Sequence, residues 1–223
     1  MAGENLVNRP KTFKAWCENF WYHYKFHTIT ALVAIFALVI ITAQCATKTQ
    51  YDYTIMLSTA SVEWANPQIK ALEKELVGCG KDLNGDGEVN IVLVDCTYNE
   101  KATGYQMIMA KRQKLQSMIM NEPNALILIS DPASLNWIND EINNGFSANT
   151  NLPDGDGHFF NMTDTKLLKN AKAKTSDEFI WPEELVVSRR RIKGTLFENK
   201  RGMGEKTRAA DEFIKNIVAD KGN

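Results

Sequence analysis

Apolar positions along this chain follow three patterns. Over residues 28–46 they run unbroken and uncharged (TITALVAIFALVIITAQCA); from residue 51 to about 145, short apolar runs alternate with stretches of helical period; beyond that, polar residues dominate until a last amphipathic stretch. As a helix, residues 28–46 would cover roughly 28 Å, about the hydrocarbon thickness of a bilayer. The first pattern therefore predicts a transmembrane helix.

The second pattern predicts β-α-β-α-β-α. Residues 52–58 (DYTIMLS) read as a strand. Asn66 and Pro67 then open a helix, Asn as the cap and Pro in the first turn, where its missing N–H costs nothing. Ile69, Leu72, Leu76 and Val77 share one face of that helix, and Gly78 and Gly80 end it. Residues 89–95 (VNIVLVD) give a second strand and 103–120 a longer helix, with Tyr105, Ile108, Met109, Leu115, Met118 and Ile119 facing inward. Residues 125–130 (ALILIS) give the third strand, and Asp131 with Pro132 opens a helix carrying Leu135, Ile138 and Ile142.

Solid apolar strands joined through helices are those of a parallel sheet covered on both faces. The expected fold is thus α/β: an N-terminal transmembrane helix, then a single three-layer α/β/α domain with a mainly parallel sheet. Residues 147–164 read as loop, 165–173 as a short helix and 184–197 as a strand or hairpin. Residues 205–220 read as a helix with Ala209, Ala210, Phe213, Ile214, Ile217 and Val218 inside.

The flanks of the apolar run predict its orientation. Arg9, Lys11, Lys14 and Lys25 precede it against Glu4 and Glu18, whereas Lys48 alone follows before Asp52. Basic flanks stay cytoplasmic. This divides the chain into a cytoplasmic juxtamembrane segment (1–27), a transmembrane signal anchor (28–46) and an extracytoplasmic domain (47–223) at the cell membrane. Trp16, Phe20, Trp21, Tyr22, Tyr24 and Phe26 suit the headgroup level, and residues 11–25 read as an amphipathic helix lying in the cytoplasmic interface. The long polar leader disfavours a cleaved signal, and Ile41 to Gln44 lack the small residue expected beside a lipid-bearing Cys45.

Composition narrows the function. The 223 residues carry a formal net charge of −1, which argues against general nucleic-acid binding. Of four cysteines, only Cys79 and Cys96 fall well inside the outer domain, at opposite edges of the expected sheet. Roughly 23 Å of strand separates those edges, and a disulfide needs Cα atoms within about 7 Å, so no bridge is expected.

Two groups of residues carry candidate chemistry. Asp82, Asn84, Asp86 and Glu88, in DLNGDGE, begin a loop that offers oxygens at alternate positions to calcium. The twelfth position, where a calcium loop needs a bidentate acid, is Leu93, so an EF-hand is excluded. A weaker calcium site and a plain Asn-Gly/Asp-Gly turn both remain. At the carboxyl ends of the strands, where α/β proteins bind ligands, stand Ser58, Thr59, Ser61, Asp95, Thr97, Tyr98, Ser130 and Asp131. They could hold a small polar ligand, or simply cap helices. The shorter turn at Asp154, Asp156 and His158 reads as a solvated loop. Arg189, Arg190, Arg191 and Lys193 form a basic stripe, either for an acidic partner or as a charged edge strand.

Through KDLNGDGEVNIVLVDC and NEPNALILISDPAS, the stretch 51–145 resembles the first lobe of extracellular solute-binding proteins of the type 2 periplasmic-binding fold. The whole pattern also resembles small single-span proteins of Gram-positive anaerobes. The resemblance implies one lobe with a C-terminal addition, and binding of a solute or partner. No nucleophile elbow, phosphate loop, HExxH or CxxC is present. The expectation is a membrane-anchored, non-catalytic interaction module, accessory to a transporter or envelope complex. The alternative is a metal-assisted envelope enzyme using the polar strand ends.

Overall fold

The computed structural model describes residues 12–46, 50–141, 146–147, 160–192 and 195–219. The chain divides into two compact units, Met1–Thr49 and Gln50–Asn223.

In the first unit a single helix, α1 (Phe13–Ala46), runs 34 residues, about 51 Å at 1.5 Å per residue. It is long and apolar enough to cross a membrane, and its apolar side chains, among them Leu32, Val33, Phe36 and Val39, are exposed. The expected separate interfacial helix over residues 11–25 is not a separate element. No glycine or proline interrupts residues 13–46, so nothing removes a rung of the helical ladder. Phe13, Trp16, Phe20 and Tyr24 stack in succession along one side.

The second unit is mixed α/β. Its elements are β1 (Tyr53–Ser58), α2 (Asn66–Leu76), β2 (Ile91–Asp95), α3 (Tyr105–Asn121), β3 (Ala125–Ser130), α4 (Pro132–Glu141), β4 (Phe146–Ser147), β5 (Phe160–Asn161), α5 (Lys166–Ala173), β6 (Val186–Arg190) and α6 (Met203–Ala219). The sheet order is β2-β1-β3-β6-β4, with β5 also pairing β6. β1 pairs in parallel with β2 (Ile55 opposite Leu93) and with β3 (Ile55 opposite Ile127).

Beyond β3 the sheet departs from the parallel expectation. β6 runs antiparallel to β3, β4 and β5. The sheet is therefore mixed, parallel from β2 through β1 to β3 and antiparallel about β6.

Alternate strand residues feed two apolar clusters, as the two-residue period of a strand requires. Ile55, Leu57, Ile127, Ile129 and Val187 join residues of α2, α5 and α6. Met56, Leu128 and Val186 join Leu115 and Ile119 of α3 and Leu135 and Ile138 of α4. The inner stripe of α6 is buried as its spacing predicts, except that Val218 is only half-buried.

Local differences have physical causes. The cap position of α2 is Ala65, not Asn66; Ala65 offers no side-chain acceptor, but its N–H donates to the Gln68 side chain, which reaches back from the first turn (2.9 Å). Tyr105, expected to face inward, is 76% exposed. β6 is not a charged edge but lies between β3 and the short strands.

Candidate functional site

The carboxyl ends of β1, β2 and β3 bring the polar candidates together, and their hydrogen bonds point inward to the loops. Asp131 directly follows β3 and is 4% exposed. Its Oδ1 accepts from Ser134 N–H (2.8 Å), which caps α4. Its Oδ2 accepts from Ala60 N–H (2.9 Å), Ser61 N–H (2.9 Å) and Ser61 Oγ–H (2.7 Å). One carboxylate thus joins the start of α4 to the loop after β1. Ser58 Oγ lies 2.7 Å from Ser134 Oγ, and the Thr59 hydroxyl donates to Val62 C=O (2.5 Å).

At the end of β2, Asp95 Oδ1 accepts from the Thr97 N–H (2.8 Å) and hydroxyl (2.7 Å), while Oδ2 pairs with Lys111 of α3. The Thr97 oxygen also accepts from Trp64 N–H (3.0 Å). Burial works to raise the Asp95 pKa, but the Lys111 and Thr97 donors outweigh it and hold the carboxyl below its ordinary range. Tyr98 is buried, and its hydroxyl accepts from Arg112 Nε–H (3.0 Å). Arg112 in turn pairs with Glu100 (3.0 Å) and stacks over Trp137, 4.6 Å from the ring centroid.

Ser130 differs from its neighbours. Its hydroxyl, like that of Ser188, is buried and has no hydrogen-bond partner among the described residues. A depression at the opposite end of the sheet, beside Asp52, Leu83, Asn124 and Lys206, has about 10 Å³ of free volume, room for about one water.

The acidic loop is closed by its own backbone. Asp82 Oδ1 accepts from Asn84 N–H (3.1 Å) and Gly85 N–H (2.6 Å), and Oδ2 from Gly87 N–H (2.8 Å). Those backbone donors, Gly87 first, lower the Asp82 pKa. Asp86 accepts from Glu88 N–H (2.9 Å) and from the Asn84 side chain (3.0 Å). Gly85 (φ 79°) and Gly87 (φ 89°) supply the left-handed backbone that the turn needs. Asp52 fastens the loop to the foot of β1 through Leu83, Asn84 and Asn90 N–H groups. Among the described residues, no group of three or more His, Cys, Asp or Glu side chains is placed to hold a metal ion. The Asp154, Asp156 and His158 turn lies outside the described residues.

The basic stripe is dismantled by its partners. Arg189 pairs with Asp211 of α6 (2.5 Å). Arg190 is 3% exposed, donates to Glu122 C=O (2.9 Å) and sits over Phe197; burial lowers its pKa. Arg191 is exposed, and Lys193 lies outside the described residues. Among the described residues there is neither a solvated edge nor a continuous cationic stripe, because Arg189 and Arg190 each meet an acceptor from a helix or its terminus.

Cys79 and Cys96 are both buried thiols, packed in different clusters. Burial pushes the Cys96 thiol up to about 11. Ser134, Lys111 and Arg112 escaped the sequence reading. The only available signal was their position in the helices that follow strand ends, Ser134 in the first turn of α4 and Lys111 and Arg112 further along α3.

Compared with models of known protein families, with curated proteins and with solved structures, the chain matches none.

Proposed function

We propose that this chain is a membrane-tethered, extracytoplasmic binding module. α1 anchors it with its N-terminus in the cytoplasm, and residues 47–223, a three-layer α/β/α domain, engage a protein partner in the envelope, such as a transporter or an envelope complex. The observation that carries the reading is α1 itself. Its apolar side chains are exposed along its length, a state that lipid satisfies and water does not. Its basic residues precede the apolar run, which favours an inside N-terminus.

Binding is favoured over turnover because Asp95 and Asp131, the acids at the strand ends, already accept bonds on both carboxylate oxygens. A general acid or base needs an oxygen within reach of substrate. The likeness to a solute-binding lobe points the same way.

Two measurements test this. Alkaline carbonate washing should leave the full chain in the membrane pellet and release a form lacking residues 1–46. A membrane-impermeant amine cross-linker applied to intact cells should give a discrete adduct containing the chain. Release of the full chain by carbonate would refute the anchor, and absence of any adduct would refute the interaction role.

A further inference from the structure

We propose that the N-terminal part of α3, residues 105–114, is a latched flap. Lys111 and Arg112 clamp it over Cys96, Tyr98 and Trp137, and release of that clamp lets it open while the remaining domain stays folded.

The burial of α3 is lopsided. Its buried residues are Leu115 and Ile119, at the middle and end of the helix. Before them, Tyr105 is 76% and Met107 53% exposed, Ile108 and Met109 are only half-buried, and none of the four belongs to the core cluster beneath. Polar contacts therefore hold this part in place. Lys111 pairs with the Asp95 carboxylate, and Lys114 Nζ donates to the Asp95 carbonyl (2.9 Å). Arg112 donates to the Tyr98 hydroxyl (3.0 Å) and to Glu100 (3.0 Å), with its guanidinium 5.4 Å from the Tyr98 ring centroid and 4.6 Å from that of Trp137.

Such contacts behave differently from core packing. Partly exposed ion pairs contribute little and are screened by salt, whereas apolar burial is not. Segments with few buried apolar contacts open at lower cost than the global fold. Beneath the flap, Cys96 is 1% exposed and packs with Leu115 and Ile119. Its raised pKa keeps it protonated and inert while the flap is closed. Cys79, in the cluster on the other face, reports on global opening instead.

The test is alkylation of the full chain in detergent micelles by N-ethylmaleimide, with the rate at each cysteine read by mass spectrometry. Arg112→Gln should accelerate Cys96 about tenfold, the scale of a cation–π and ion-pair clamp, and leave Cys79 unchanged. Glu100→Gln removes only the outer pair and should accelerate Cys96 about twofold. On the unsubstituted chain, raising potassium chloride from about 0.05 M to about 1 M shortens the screening length severalfold and should accelerate Cys96 alone. Equal acceleration of both cysteines, or a Cys96 rate indifferent to salt and to both substitutions, would overturn the proposal.

Discussion

Replacing Asp131 by alanine removes a side chain that ties the loop after β1 to the start of α4. Three N–H groups and one hydroxyl lose their acceptor. Ser61 is exposed, so water replaces its bonds at little cost. Ala60 is 6% exposed, and a buried N–H without a partner costs about 1–3 kcal/mol. Loss of the α4 cap at Ser134 adds about 0.5–2 kcal/mol. The expected destabilisation is about 1.5–5 kcal/mol, a large share of the roughly 5–15 kcal/mol that holds a domain together. Asp131→Asn retains a single oxygen and turns an NH₂ toward the other donors, so it should cost less than alanine but more than nothing. Urea unfolding of residues 50–223, followed by the fluorescence of Trp64, Trp137 and Trp181, measures both. A loss below about 1 kcal/mol for Asp131→Ala would refute the reasoning and return the carboxylate to the list of groups available to a ligand.

Three further outcomes follow from the same geometry. At Gly80 a Cβ would meet Val89 at 2.8 Å and the Tyr53 ring at 3.0 Å, so Gly80→Ala should destabilise the domain by about 1–3 kcal/mol through overpacking; an unchanged urea midpoint would contradict it. Asp95 has a folded pKa below its unfolded value near 3.9. Its contribution is therefore present above about pH 4 and lost as pH falls through the folded pKa. The drop in urea midpoint between pH 5 and pH 3 should be smaller in Asp95→Asn than in the unsubstituted chain, and equal drops would sink the assignment. Because backbone N–H groups already close the Asp82 loop, melting should be the same in calcium and in EDTA. A rise with calcium, abolished by Asp86→Ala, would make the loop a cation site.

Much of the core was legible because its residues leave no alternative. β1 and β3 each carry an unbroken apolar run, residues 55–57 and 125–129, and α6 repeats its stripe at helical spacing, so burial follows directly from pattern. Asp131 with Pro132 announced α4, since a cap acceptor followed by a residue without an N–H fits a helix start and little else. β6 was misread as an edge because Arg189 and Arg190 look solvated in isolation. Their partners, Asp211 and the carbonyl of Glu122, come from segments distant in sequence that no local pattern connects to them. The strand-end candidates stand at one end of the sheet, but their use was not legible. Whether a serine or aspartate binds a ligand or a loop N–H depends on loop geometry, as at Asp131 and Ala60. The role of Lys111 and Arg112 was hidden for the same reason: a helical Lys-Arg pair reads as a solvated face until Asp95 and Trp137 are seen beside it.

The most direct test of the tethered-module reading is labelling from outside intact cells with a membrane-impermeant maleimide. Two single substitutions at exposed positions serve: Lys14→Cys near the start of α1 and Ser176→Cys after α5. Ser176→Cys should label in intact cells, and Lys14→Cys only after the membrane is permeabilised. Labelling of Lys14→Cys from outside, or of Ser176→Cys only after permeabilisation, would contradict an anchored, extracytoplasmic domain.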